Sequence, residues 1–233
     1  MKLYYSPGAC SLSPHIVACE AELPLKLIKV DLKNKLTETN EDFRQLNPNG
    51  YVPLLLLDDG SQLTEGPAIV QYLADQVPEK KLIPAADTFA RYKVQQWLNF
   101  IATEIHKNFA SLFNAEAPEA AKELAITLLN KRLDTTAEQL ASQPYLLGED
   151  FSVADIYLFV ALSWGQYVNI DISRWPALAR YADNISKRPA VQKAMKKKVL
   201  FRWYTKFSKF HKRNPLHLST CHGAGSALNL AVY

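Results

Sequence analysis

Residues 52–77 read VPLLLLDDGSQLTEGPAIVQYLADQV. Val52–Leu57 is an unbroken apolar run of strand length, bounded by turn residues, and predicts a buried strand. Asp58-Asp59-Gly60-Ser61 is a hairpin turn, and Gln62-Leu63-Thr64 is a short returning strand. Gly66–Val77 is an amphipathic helix, with Pro67 tolerated in its first turn. Upstream, Lys2–Ser6 is short, apolar and aromatic, which suits a first strand. Pro7-Gly8 turns the chain, and Ser11–Glu22 carries Leu12, Ile16, Val17 and Ala21 at helical spacing. Leu25–Leu32 predicts a second strand. Asn40–Leu46 predicts a short helix that Asn47-Pro48-Asn49-Gly50 ends. The order β-α-β-α-β-β-α describes a small α/β layer with both parallel and antiparallel pairing.

Downstream the strand patterns stop. Pro78–Asp87 is polar and proline-punctuated, and predicts a linker. Thr88–Phe113 places Val94, Trp97, Leu98, Ile101, Ile105, Phe109 and Leu112 on one long helical face. Pro118–Ala141 predicts another helix, and Tyr145–Gly148 a turn. Ser152-Val-Ala-Asp155 is a capping-box-like start to a helix over Ser152–Tyr167. Arg174–Lys187 and Ala190–Lys198 predict two more. The fold class is therefore α/β plus all-α, with residues 1–80 as the first domain and 87–198 as a helical second.

Composition narrows the function classes. The 233 residues carry three cysteines, too few and too odd a number for a disulfide scaffold, which points to a reducing compartment. No apolar run reaches membrane-span length, and no signal peptide is expected. The formal net charge of +4 hides an asymmetry. Residues 1–183 hold 16 Lys+Arg against 23 Asp+Glu, and residues 184–233 hold 11 Lys+Arg and no acid. A nucleic-acid or membrane partner is thus not expected for residues 1–198. The segment 199–233 mixes Lys and Arg with Phe, Trp and Tyr. It reads either as an appended tail or as a polyanion-binding patch.

Four features carry candidate chemistry. Cys10 lies near the start of a helix, where unpaired N–H groups and the helix dipole favour a thiolate and lower its pKa. It equally suits a small core residue at a tight turn. Ser13 stands where a redox pair has its second cysteine, so disulfide chemistry at Cys10 needs an outside thiol. Val52-Pro53 is an edge-strand proline or, if cis, a place where an extended peptide pairs with the Val52 backbone. Glu65-Gly66 opens a helix. It is either a plain cap or a site where helix N–H groups take a carboxylate and Glu65 takes an amino group. Asn99, Thr103, His106 and Lys107 share one arc of the long helix. That arc is solvated surface or an anion-holding face.

Taken in this order, MKLYYSPGACSLSPH, LNPNGYVPLL, LTEGPAIVQYLAD, the Asn99–Lys107 face and LLGEDFSVADIYLF resemble the cytosolic glutathione S-transferases of the bacterial beta class. The resemblance covers about residues 1–196. It implies a thioredoxin-like first domain, a helical second domain, a homodimer and a cytoplasmic location. Glutathione is implied as co-substrate, small hydrophobic electrophiles as its partners, and no cofactor or metal. In this sequence it puts Cys10 at the glutathione sulfur, Lys35 at the glycyl carboxylate, Val52 on the cysteinyl peptide, and Glu65 and Gly66 on the γ-glutamyl head. It places Asn99, Thr103, Glu104, Ile105 and His106 on the facing helix, with Lys107 beside them and Pro53 cis. Catalysis is implied at Cys10 and His106. Ser11 is a hydroxyl donor to the sulfur, and Tyr5 occupies the position where other classes carry a catalytic tyrosine. Phe109, Phe113, Tyr157 and Trp164 are candidates for the electrophile wall. Pro67 departs from the family, which has a small apolar residue there. The function implied is conjugation of the glutathione thiolate to electrophiles, with thiol–disulfide or peroxide chemistry through Cys10. The runner-up is a glutathione- or ligand-binding protein with little turnover.

Overall fold

The computed structural model describes residues 1–196. The expected end of the last helix at Lys198 and the segment 199–233 lie outside the described residues. Five strands form one sheet: β1 (Lys2–Tyr5), β2 (Lys26–Asp31), β3 (Leu36–Thr37), β4 (Leu54–Leu56) and β5 (Gln62–Leu63). Their spatial order is β3-β2-β1-β4-β5. β1 pairs with β2 in parallel, Leu3 opposite Leu27, because α1 (Leu12–Glu20) provides the crossover between them. The β1–β4, β2–β3 and β4–β5 pairs are antiparallel. α2 (Gly66–Asp75) follows the β4–β5 hairpin and packs beside α1. This is a thioredoxin-like mixed sheet with helices.

The helical part comprises α3 (Phe89–Phe100), α4 (Lys107–Phe113), α5 (Glu119–Gln139), α6 (Val153–Ser163), α7 (Pro176–Ser186) and α8 (Pro189–Lys196). All eleven residues of α6 are buried, and a helix that is apolar all round belongs in a core. Its start is fixed by Asp155. That carboxylate accepts from Leu146 N at 2.9 Å, Ser152 N at 2.8 Å, Ser152 Oγ at 2.9 Å and the Tyr181 hydroxyl at 3.1 Å. The two parts share one continuous apolar core. Polar ties also cross between them: Arg91 to Asp75, Arg188 Nε to Glu20 at 2.6 Å, and Trp164 Nε1 to the carbonyl of Gly8 at 2.9 Å.

Several elements differ from the sequence reading. β3 was not expected, because two residues carry no periodicity. The expected helix over Asn40–Leu46 is only a 3₁₀ turn at Phe43–Gln45, capped by Asp42. The helix expected over Ser152–Tyr167 ends at Ser163 and passes into a 3₁₀ turn over Trp164–Tyr167. At Gly165 a Cβ would come within 2.5 Å of the Ile170 carbonyl oxygen, so only glycine lets the chain fold back there. The long helix expected over Thr88–Phe113 is interrupted by a π-helical segment, Ile101–His106, between α3 and α4. A π segment is underwound, so residues beyond it lose angular phase with those before it.

Candidate functional site

The Val52-Pro53 peptide is cis. Asn47 shapes the loop before it, donating from Nδ2 to Tyr51 O at 2.8 Å and accepting from Asn49 N at 3.2 Å. Opposite, Cys10 sits in the turn between β1 and α1, and its Sγ donates to Val52 O at 3.4 Å. Glu65 precedes α2 with φ +64°, in the left-handed region that favours glycine. Its carbonyl accepts from the N–H groups of Ala68 and Ile69, both at 3.0 Å, and so opens the helix. These segments and the start of α4 surround an open cleft of about 350 Å³.

The cleft gathers Cys10, Val52, Pro53, Glu65, Gly66, His106, Lys107 and Tyr157 among the residues singled out from sequence. It leaves others outside. Asn99 and Thr103 are exposed and bonded to each other, Thr103 Oγ1 to Asn99 O at 3.0 Å. Glu104 pairs with Arg132 Nε at 2.6 Å, and Ile105 is fully buried in the core. The change of phase across the π segment accounts for this split. His106, Lys107, Ala110 and Ser111 reach the cleft, whereas Ala102 is the one lining residue from earlier in that segment. Lys35 is not in the lining. Its ammonium donates to Gly50 O at 3.1 Å and lies 5.7 Å from the ring centre of Tyr51, which does line it. Tyr5 borders a separate small cavity beside α8.

Three expectations need correction. Sequence placed the Cys10 thiol in the field of a helix N-terminus, with a lowered pKa. The helix begins two residues later, at Leu12, and burial pushes the thiol up to about 12. Backbone N–H groups of Cys10 and Ser11 oppose this without overcoming it, and the nearby Glu65 charge adds to it. Cys10 is therefore a neutral thiol at pH 7. Second, the Ser11 hydroxyl is engaged with the backbone of Ser6 and does not line the cleft. It accepts from Ser6 N and donates to Ser6 O, both at 3.2 Å. Third, of the four aromatic residues expected in the electrophile wall, only Tyr157 lines the cleft. Phe109 and Trp164 are fully buried and Phe113 is half-buried. The three rings pack on one another behind His106, whose ring lies 4.7 Å from that of Trp164.

His106 is not a cation. Burial holds its pKa down to about 4. Its Nδ1 lies 2.6 Å from the Tyr157 hydroxyl oxygen. Lys107 supplies a positive charge at the same wall. Sequence reasoning overlooked Asn47, Asn49, Tyr51, Thr64, Ala102, Ala110 and Ser111. For the first three the signal lies in LNPNGYVPLL, a stretch that sequence reads as a helix stop and a family motif without assigning Asn47, Asn49 or Tyr51 to the site. Among the described residues no group of His, Cys, Asp or Glu is placed to hold a metal ion. No helix among them is long and apolar enough to cross a membrane.

The glutathione S-transferase N-terminal domain model matches residues 8–76, and the glutathione S-transferase C-terminal domain model matches residues 100–189. The chain belongs to the glutathione S-transferase family. It is 43% identical over 195 residues to the glutathione S-transferase GstA of Escherichia coli O157:H7, covering 84% of this chain and 97% of that protein. Among solved structures, the ternary complex of BphK, a bacterial transferase of this family, is 56% identical with a TM-score of 0.84. That match covers 84% of this chain and 98% of the other. The beta-class transferase of Sphingomonas chungbukensis is 44% identical with a TM-score of 0.82, over 84% and 98% of the two chains. These similarities place the chain in the bacterial beta class of glutathione transferases.

Proposed function

We propose that this glutathione transferase joins the glutathione thiolate to small hydrophobic electrophiles in the cleft, and that it works as a homodimer. The division into a glutathione-binding domain over residues 1–80 and a helical domain from 87 onward is part of the same reading. Glutathione enters with its cysteinyl peptide along Val52 and its γ-glutamyl head at Glu65 and Gly66. Its glycyl carboxylate lies toward Lys35. Pro67 has no N–H to offer that head group, so Gly66 carries more of the contact.

The observation that carries the reading is the state of Cys10. A thiol held neutral beside the Val52 carbonyl is a hydrogen-bond donor, not a nucleophile. In this reading the attacking sulfur is that of glutathione. Free glutathione has a thiol pKa of about 8.5. Donors around its sulfur favour the thiolate; the uncharged His106 ring is at hand, and Cys10 Sγ–H serves only by turning from the Val52 carbonyl to the incoming sulfur. The thiolate sulfur forms a bond to the electrophilic carbon, and the leaving group departs with its electron pair. Thiol–disulfide exchange through Cys10 belongs to the same site. It requires the Cys10 thiolate, which burial makes scarce at neutral pH.

The test compares turnover of chlorodinitrobenzene and of a glutathione mixed disulfide by the full chain, Cys10→Ala and His106→Ala, with glutathione binding measured alongside. Conjugation by the wild type and by Cys10→Ala is expected. No conjugation by a protein that still binds glutathione refutes the enzyme reading.

A further inference from the structure

Tyr157 stands on α6 with its phenol oxygen 2.6 Å from His106 Nδ1. It is the only hydrogen bond that either side chain makes among the described residues. The direction of that bond follows from the two groups' protonation. Burial holds the phenol far above its ordinary value, so it keeps its hydrogen. A buried hydroxyl needs an acceptor, and His106 Nδ1 is the one in reach. His106 is neutral at pH 7 and carries one N–H. If Nδ1 held that proton and donated it to the phenol oxygen, the phenol hydrogen would be left without a protein acceptor among the described residues. Nδ1 therefore accepts, and the imidazole proton sits on Nε2. Among the described residues no hydrogen bond to Nε2 is seen, and His106 forms part of the cleft wall.

The surroundings hold this arrangement in place. His106 is the last residue of the π segment, and Trp164 lies against its ring with an interplanar angle of 60°. Trp164 is itself fixed by its bond to Gly8 O and by the ring of Phe109, 5.7 Å away. The ring cannot turn over without breaking the Tyr157 bond, and it cannot swing out of its plane without losing the Trp164 contact.

We propose that Tyr157 is a positioning residue: its hydroxyl locks His106 into the Nε2–H tautomer and so presents a neutral N–H donor from the cleft wall to the glutathione sulfur. The proposal rests on the conjugation reading for its purpose, but the tautomer is a property of the unliganded protein. The pairing also gives the hydroxyl of this expected wall residue a partner. Its ring is wall, and its hydroxyl is bound to the histidine.

The direct test is nitrogen-15 NMR of the full chain with labelled histidine, unliganded and at neutral pH. His106→Gln assigns the His106 signals. The expected result is protonated Nε2 with bare Nδ1 in the wild type, and a mixture of tautomers in Tyr157→Phe, which keeps the ring but removes the donor. A wild-type signal from the Nδ1–H tautomer or from imidazolium overturns the proposal, as does an unchanged tautomer in Tyr157→Phe. In conjugation assays Tyr157→Phe should lower kcat roughly three- to tenfold, the range of one neutral hydrogen bond, with the glutathione KM within about twofold of wild type. An unchanged kcat overturns the positioning role. A protein that binds no glutathione overturns the conjugation reading instead, and the tautomer measurement still judges the pairing.

Discussion

Acidification from pH 7 to pH 5 should weaken the fold through His106. The ring titrates near 4 in the folded protein, against about 6.5 in an unfolded chain. Between those values the unfolded state binds more protons than the folded one, so stability rises with pH through this window and is lost as pH falls. The full displacement corresponds to about 3 kcal/mol, and the part felt between pH 7 and pH 5 is about 2 kcal/mol. For a protein of this size that is a drop in Tm of roughly 4–8 °C. The groups around the ring are the Tyr157 hydroxyl and the Trp164 indole, with Cys10, Glu65 and Lys107 on the same cleft. Glu22, Asp31 and Asp59 are exposed carboxylates and Asp42 a half-buried one, all with lowered pKa, and they add their own losses at lower pH. The assay is therefore a comparison: urea unfolding of the wild type and His106→Gln at pH 7, 6 and 5. The variant lacks the titrating ring but keeps those carboxylates, so its stability should fall by about 2 kcal/mol less over this range. Parallel pH dependences for the two proteins would refute the claim that His106 is buried neutral.

The Cys10 thiol gives an independent check. In the unliganded protein its alkylation by iodoacetamide, followed site by site with mass spectrometry, should climb about tenfold per pH unit from pH 7 to 10. A plateau near pH 8.5 would show an ordinary thiol. Cys10→Ala should keep conjugation to within about tenfold of wild type, having lost one hydrogen-bond donor, while losing mixed-disulfide formation altogether. A complete loss of conjugation would mean that Cys10 does more than donate. Asp155→Ala strips Leu146 N, Ser152 N and Ser152 Oγ of an acceptor at the start of the fully buried α6, and leaves the Tyr181 hydroxyl only the Asp155 carbonyl. It should cost about 3 kcal/mol in urea unfolding, and a loss below 1 kcal/mol would contradict the role given to that carboxylate.

The sheet and most helices were legible because their signals are local. The apolar run at Val52–Leu57, the Asp58–Ser61 turn and the spacing of Ile69, Val70 and Leu73 each specify an element without help from distant residues. β3 was not legible, since Leu36–Thr37 exists only by pairing with Val30 and Asp31. The site was legible in its backbone-defined half. Cys10, Val52, Pro53, Glu65 and Gly66 stand at turns and helix starts, where sequence marks position directly. The helical half was harder. An ideal helix groups Asn99 and Thr103 with His106, whereas the π segment brings His106 to the cleft with Lys107, Ala110 and Ser111 instead. The charge states were out of reach for a different reason. A helix start in the sequence predicts a lowered thiol pKa, but desolvation depends on everything folded around Cys10, and here it dominates. Phe109 shows the same limit. It belongs to the apolar stripe of the long helix, and only packing shows it behind the wall, with Tyr157 in front.

The claim at the centre of this account is that the cleft turns glutathione into a thiolate with neutral donors. It is tested most directly by the ultraviolet absorbance of the bound thiolate, titrated with pH in the Cys10→Ala variant at saturating glutathione. The account predicts a midpoint clearly below the free value of about 8.5, moving back toward it in the Cys10→Ala/His106→Gln double variant. A midpoint at or above the free value in Cys10→Ala would contradict it.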